Sequence, residues 1–169
     1  IRDPGWSRGL GDVYKRQADV EISGTQATRE DLQDSSTLTI SGTLDGDLNN
    51  IVRGYIAAGN EIDNATVVVD SGGTIQGQSN AIMGRETDSL TVINSGTIEA
   101  TSSKAIQLRD SQNATITNKS GGTIFANTNA IVQQSAGTED AENTTITNAG
   151  TIYSAVSYTH LTLPTIPGV

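Results

Sequence analysis

The sequence predicts an all-β fold, and its composition and an internal repeat both support this prediction. Among 169 residues there are 23 Thr and 17 Ile, which favour strands, beside 18 Gly and 12 Asn, which favour turns. Charged residues make up only 17% of the chain. The composition therefore excludes a helical bundle as the main architecture and disfavours a strongly charged disordered chain.

The repeat is a triplet, Gly-Thr-(Ile/Leu), that occurs five times with its threonines 31, 23, 26 and 28 residues apart. The five threonines are Thr43, Thr74, Thr97, Thr123 and Thr151. A short β-branched stretch precedes each triplet. A third apolar element follows at Asn50-Ile51, Ala81-Ile82, Ala105-Ile106 and Ala130-Ile131. Each copy is thus predicted to form three short strands separated by turns.

Alternation along these strands predicts which side chains form the core, because successive residues of a strand point to opposite faces. In the first strand of each copy, Leu38/Ile40, Ala65/Val67, Leu90/Val92, Ala114/Ile116 and Thr144/Ile146 are predicted to point inward. In the second strand the inward residues are Leu44, Ile75, Ile98, Ile124 and Ile152. Threonines such as Thr39, Thr91 and Thr115 are expected to point outward, with Asn94, Asn118 and Asn148 at the glycine turn.

A repeat this short cannot bury its own apolar side, so the copies must stack. Three strands per turn with loops of uneven length are typical of a right-handed parallel β-helix, here of about five coils of 23–31 residues. The strict six-residue rule of the left-handed form and the calcium-binding nonapeptide G-G-x-G-x-D are both absent from the sequence. An immunoglobulin-like sandwich is the second structural candidate.

The two ends of the chain differ from the repeats between them. Residues 1–17 (IRDPGWSRGLGDVYKRQ) and 156–169 (VSYTHLTLPTIPGV) resemble translated sequencing-adapter read-through at the ends of reading frames from metagenomic assemblies. We therefore expect both to be non-native tails, and residues 18–155 to be a β-helix fragment. The only histidine, His160, and the only tryptophan, Trp6, lie in these tails.

The repeats also resemble a known family. INSGTIEA (93–100), NKSGGTIFANTNAI (118–131) and TNAGTIYS (147–154) are similar to the passenger repeats of autotransporters, the adhesins of type V secretion. The resemblance implies a long β-helix at the bacterial surface or secreted, carried to the membrane only by a C-terminal barrel. A structural and adhesive stalk, with host-surface or glycan ligands, is the function it implies.

Charge and residue types limit the other functions. The net charge of −9 repels phosphate backbones, so no nucleic-acid partner is expected. Because cysteine is absent and residues 18–155 contain no histidine, no thiol nucleophile and no nucleophile–base pair is visible there. We expect no catalytic residue, cofactor or metal site. Asp45-Gly46-Asp47 is predicted to be a solvated turn, because the residues after it do not continue the pattern of an EF-hand calcium loop.

Four residues are candidates for ligand contact. Phe125 and Tyr153 occupy the same place in successive copies and follow inward isoleucines, which predicts an outward aromatic pair. Arg85 and Arg109, in Arg85-Glu86 and Arg109-Asp110, also occupy matching places, and a structural ladder of ion pairs is the default interpretation. The functional alternative is contact of the two arginines with a polyanion or a sugar.

Two further expectations follow from the fold. Polysaccharide lyases and glycoside hydrolases also use β-helices, so non-catalytic coils of such an enzyme are the alternative function. A stack also leaves a strand edge open at each end, which predicts end-to-end self-association of the fragment.

Overall fold

The structure is a computed structural model that describes residues 19–46, 50–54, 62–135 and 142–155. Within these ranges the regular elements are all strands, and the strands pair in parallel from one coil to the next. The predicted all-β parallel β-helix is therefore confirmed. In this part of the chain no helix is long and apolar enough to cross a membrane. The expected tails at 1–17 and 156–169 lie outside the described residues.

The strands follow one another around the solenoid. The first two coils contain β1 (Val20–Ile22), β2 (Thr25–Gln26), β3 (Glu30–Asp31), β4 (Thr37–Ile40), β5 (Thr43–Gly46) and β6 (Asn50–Gly54). The next two contain β7 (Ile62–Asp63), β8 (Thr66–Val69), β9 (Thr74–Gly77), β10 (Asn80–Arg85), β11 (Thr87–Asp88), β12 (Thr91–Asn94), β13 (Thr97–Ala100) and β14 (Lys104–Arg109). The last strands are β15 (Thr115–Asn118), β16 (Thr123–Ala126), β17 (Asn129–Gln134), β18 (Thr145–Asn148) and β19 (Thr151–Ser154).

Three sheets form the three faces of the solenoid. The first face is a six-stranded sheet in the order β1-β4-β8-β12-β15-β18, and the second is a six-stranded sheet in the order β2-β5-β9-β13-β16-β19. The third face has five strands, β3-β6-β10-β14-β17, and β7 pairs with β11 in a short additional sheet. No coil contributes more than one strand to a face, so equivalent residues of successive coils form columns.

The core consists of aliphatic columns in the interior. Ile75, Ile98 and Ile124 are register partners on the second face, and each is fully buried. The predicted inward residues of the first face are likewise buried from Leu38 to Ile116. Ile146 occupies the same column but is 49% exposed, because it lies in the last described coil and no described strand covers it.

One coil was missed and one register was wrong in the sequence-based expectation. The chain forms an additional coil at β1–β3, where Gly24-Thr25 is followed by Gln26 and therefore lacks the apolar residue of the triplet.

On the third face, Asn50 pairs with Asn80 and Val52 with Ile82. The expected alignment of Ile51 with Ile82 is thus wrong by one residue, because two adjacent buried aliphatic residues made both alignments compatible with the pattern.

The corner before the first face has left-handed backbone in every described coil from the second onward. The residues with positive φ there are Ser35, Asn64, Ser89, Asn113 and Asn143, with φ between 54° and 58° except for 52° at Asn113. Asparagine tolerates this conformation better than most residues with a Cβ. This explains why Asn-x-Thr occurs at the same repeat position in several copies.

The left-handed corner allows a direct test of the backbone assignment. Asn113→Val should destabilise the protein by about 1–2 kcal/mol, because a β-branched residue is strained at positive φ. Asn113→Gly should cost less, since glycine adopts this conformation freely. Thermal unfolding of both variants checks the order, and equal stability of the two would contradict the assigned conformation.

Candidate binding face

The exposed aromatic pair lies at the C-terminal end of the second face. Phe125 and Tyr153 are register partners in β16 and β19, and their ring centroids are 4.6 Å apart with planes inclined by 32°. Tyr153 is 49% exposed and Phe125 is partly exposed. The two residues thus form the predicted outward aromatic pair, and its contact with a ligand stays a prediction. Together they present an apolar surface at a place where each of the three preceding coils presents a polar side chain.

The aromatic pair is the end of a longer outward column, which the sequence analysis missed. Its members are Asp45, Gln76, Glu99, Phe125 and Tyr153, one from each of five successive coils, and we call them the second-face strip. The signal was present in the sequence, because each of these residues directly follows a Gly-Thr-(Ile/Leu) triplet. Adjacent members are separated by the strand spacing of about 4.8 Å.

The N-terminal half of the second-face strip borders a polar groove. The groove is lined by Asp45, Gly46, Gln76, Gly77, Gln78 and Thr101. Gly46 and Gly77 hold the positions that are small in every copy, and a Cβ at Gly77 would lie 2.4 Å from the carbonyl oxygen of Asn80. Small residues are therefore required at this corner. The strip offers carboxylates and an amide at one end and aromatic rings at the other.

Asp45 is a strand residue, which corrects the expected solvated turn. It lies in β5, is exposed, and belongs to the second-face strip. Asp47 lies outside the described residues. Within the described ranges no group of three or more His, Cys, Asp or Glu side chains is placed to hold a metal ion.

The first face presents a second regular surface, made of β-branched side chains. The ten outward strand positions from β4 to β18 are occupied by eight threonines, one valine and one isoleucine: Thr37, Thr39, Thr66, Val68, Thr91, Ile93, Thr115, Thr117, Thr145 and Thr147. None is charged, although the chain as a whole carries −9. β-branched side chains have few rotamers, so the side chains of this surface have little conformational freedom.

The two candidate arginines lie elsewhere. Arg85 and Arg109 are register partners on the third face, so the structure separates them from the second-face strip. Arg85 forms an ion pair with Glu86 at 3.1 Å, and Arg109 forms one with Asp110 at 3.7 Å. A guanidinium that already faces a carboxylate has less to gain from a further anion, which favours the structural interpretation of these residues.

The asparagines at the glycine turn point inward, which corrects the expectation that they add to the outer surface. Asn94 and Asn118 are fully buried. Asn94 Nδ2 donates to Asn118 Oδ1 at 2.8 Å, and Asn118 Nδ2 donates to Asn148 Oδ1 at 2.8 Å. The three residues form a hydrogen-bonded column inside the corner, so their role is structural.

Comparison with models of protein families, with curated proteins and with solved structures finds no match. The resemblance to autotransporter passengers therefore remains a prediction. Among the described surfaces of the solenoid, the second-face strip has the most varied chemistry.

Proposed function

We propose that this chain is a non-catalytic, adhesive segment of a bacterial surface-exposed or secreted protein, and that it binds neutral glycans along the second-face strip. The observation that carries the proposal is the strip itself, in which Phe125 and Tyr153 continue a column of Asp45, Gln76 and Glu99. Aromatic rings pack against the apolar face of a sugar ring, while carboxylate and amide oxygens accept hydrogen bonds from its hydroxyl groups.

The repetitive geometry supports weak binding at several points. Contacts spaced at about 4.8 Å along one column can engage successive units of an extended chain, and several weak contacts to one ligand reinforce one another. The net charge of −9 disfavours polyanionic ligands, so the expected ligand is uncharged. The resemblance of the repeats to autotransporter passengers supports the location at the cell surface.

Binding by the aromatic pair predicts a specific pattern among variants. Tyr153→Ala should weaken binding to a neutral oligosaccharide about five- to tenfold, because the stacking surface is removed. Tyr153→Phe should bind like the wild type, since it keeps the ring. Glycan-array screening followed by calorimetry with the best neutral oligosaccharide measures both.

A control variant on the first face separates loss of glycan binding from general loss of stability. Thr117→Ala changes the outward surface of the first face and should leave glycan affinity unchanged. If no neutral glycan binds, or if Tyr153→Ala binds as well as the wild type, the proposed site is wrong.

Catalysis by this segment itself goes beyond the alternative function, which is that of non-catalytic coils of a β-helical polysaccharide lyase or glycoside hydrolase, and one observation favours it. Asp45 and Glu99 share the second-face strip, and hydrolysis of a glycosidic bond uses two carboxyl groups near one bond. We expect no turnover of polygalacturonate or xylan. A product that disappears in both Asp45→Asn and Glu99→Gln would establish the enzymatic function instead.

A further inference from the structure

The outward side chains of the first face form two columns, which together we call the threonine array. The first column takes one residue from each of five successive coils, and all five are threonine: Thr37, Thr66, Thr91, Thr115 and Thr145. The second column lies two residues further along the same strands: Thr39, Val68, Ile93, Thr117 and Thr147. All ten side chains therefore carry a γ-methyl group, and eight also carry a hydroxyl group.

The threonine array repeats in two directions at distances that the β-structure sets. Register partners in adjacent coils lie about 4.8 Å apart, and outward positions two residues apart on one strand are separated by about 6.7 Å. All five strands are four residues long and pair without a bulge. Ladders of like side chains stabilise a flat sheet. The array is thus a regular lattice that extends about 19 Å along the solenoid.

The fold does not use the hydroxyl groups of the threonine array. Within the described ranges, no hydrogen bond joins any of the eight hydroxyl groups to another protein group. The β-branched side chains have few rotamers, so their hydroxyl and methyl groups keep defined positions. Water next to the array therefore meets regularly spaced hydrogen-bonding groups, with methyl groups between them that restrict its orientation.

Charged side chains border the threonine array and are absent from its ten positions. The exposed charged residues around it are Asp19 and Glu21 at its N-terminal end, Asp34, Asp63, Asp88 and Glu142 along one side, and Asp70 and Lys119 along the other. A charged group is costly to separate from its own water. Close contact of the first face with an uncharged surface is therefore most favourable at the array itself.

We propose that the threonine array binds the surface of ice. Its two spacings are close to the two repeat distances of the prism face of hexagonal ice, so its hydroxyl and methyl groups can hold water molecules at lattice positions. A surface that repeats in two directions and lacks charge matches a partner with the same properties. This function goes beyond glycan binding by the second-face strip, which lies on a different face.

Partitioning of the full chain between slowly growing ice and the remaining liquid measures this binding directly. We expect the wild type to be enriched in the ice. Thr91→Tyr should lower the enrichment about tenfold, because a ring that protrudes from the middle of the array keeps the ice surface away from its neighbours. Thr117→Tyr in the second column should have the same effect. Tyrosine is favourable in strands, and circular dichroism verifies that both variants remain folded.

The matched control is Thr97→Tyr, which places the same ring at an outward position of the same coil, on the second face. This variant should enter the ice like the wild type. Exclusion of the wild type from ice would overturn the proposal, and so would equal enrichment of Thr91→Tyr and the wild type or equal losses in Thr91→Tyr and Thr97→Tyr.

A crystalline polysaccharide is the other regular and uncharged surface to test. Binding of the wild type to crystalline cellulose or chitin, lost in Thr91→Tyr and without any uptake into ice, would assign the array to that partner and overturn the proposal. None of these outcomes depends on whether the second-face strip binds a soluble glycan.

Discussion

Ile98→Asp is expected to cost about 4–5 kcal/mol of folding free energy, enough to unfold a solenoid of this size under most conditions. Ile98 is fully buried between its register partners Ile75 and Ile124. An aspartate there either buries an unpaired charge or is protonated and still lacks a hydrogen-bond partner. Far-ultraviolet circular dichroism and thermal unfolding measure the loss.

The control for this variant lies one residue away on the same strand. Thr97 points outward and is partly exposed, so Thr97→Asp should change the stability by less than about 1 kcal/mol. The difference in stability between the two variants gives the cost of burying aspartate, because both variants place aspartate in the same strand. An Ile98→Asp protein that melts like Thr97→Asp would show that Ile98 is not in the core.

Asn118→Ala is expected to have the second-largest effect, about 2–3 kcal/mol, because Asn118 connects three coils. Its Nδ2 donates to Asn148 Oδ1 and lies 3.2 Å from the carbonyl oxygens of Gly122 and Thr151, while its Oδ1 accepts from Asn94. Removing the amide leaves buried polar groups of neighbouring coils without these partners. Chemical denaturation, with the midpoint and slope both recorded, measures the change in unfolding free energy.

Asn148→Ala is the matched control in the same column. Asn148 is exposed, and its Oδ1 accepts hydrogen bonds from Asn118 and from Gly150 N–H. Water can replace much of what is lost there, so we expect a cost below about 1 kcal/mol. Equal losses of unfolding free energy in the two variants would mean that the asparagine column stabilises each coil separately and does not couple neighbouring coils.

The aliphatic columns could be predicted from the sequence because burial in a strand follows a period of two. Leu38, Val67 and Ile98 each directly follow an outward threonine, and each is buried as expected. The glycine of the triplet was equally informative, since a Cβ on Gly96 would lie 2.2 Å from the carbonyl oxygen of Gly73. Only glycine allows the backbones of adjacent coils to approach so closely at this corner.

The buried asparagines could not be predicted in the same way. In a single copy, Asn94 ends a β-branched stretch and comes two residues before Gly96, which is the usual pattern of an exposed turn. Its burial becomes favourable only because Asn118 lies at the same position one coil later and accepts its hydrogen bond. This stabilisation requires two copies of the repeat, so the sequence of a single copy does not indicate it.

Only two of the five residues of the second-face strip were predicted from the sequence, for a related reason. Phe125 and Tyr153 attracted attention because aromatic residues are rare in this chain, at 4%. Gln76 and Glu99 are ordinary surface residues until the register places them in the same column. The first coil was missed because Gln26 replaces the aliphatic residue by which the other copies were found.

The stacking of coils in register is tested most directly by nuclear Overhauser effects between isoleucine methyl groups in a selectively labelled protein. The account predicts contacts between neighbours in each column: Ile75 with Ile98, Ile98 with Ile124, Ile82 with Ile106 and Ile106 with Ile131. Direct contacts that skip a coil, such as Ile75 with Ile124, should be absent. Contacts between Ile75 and Ile124 without those to Ile98 would contradict the parallel stack and favour a sandwich of alternating strands.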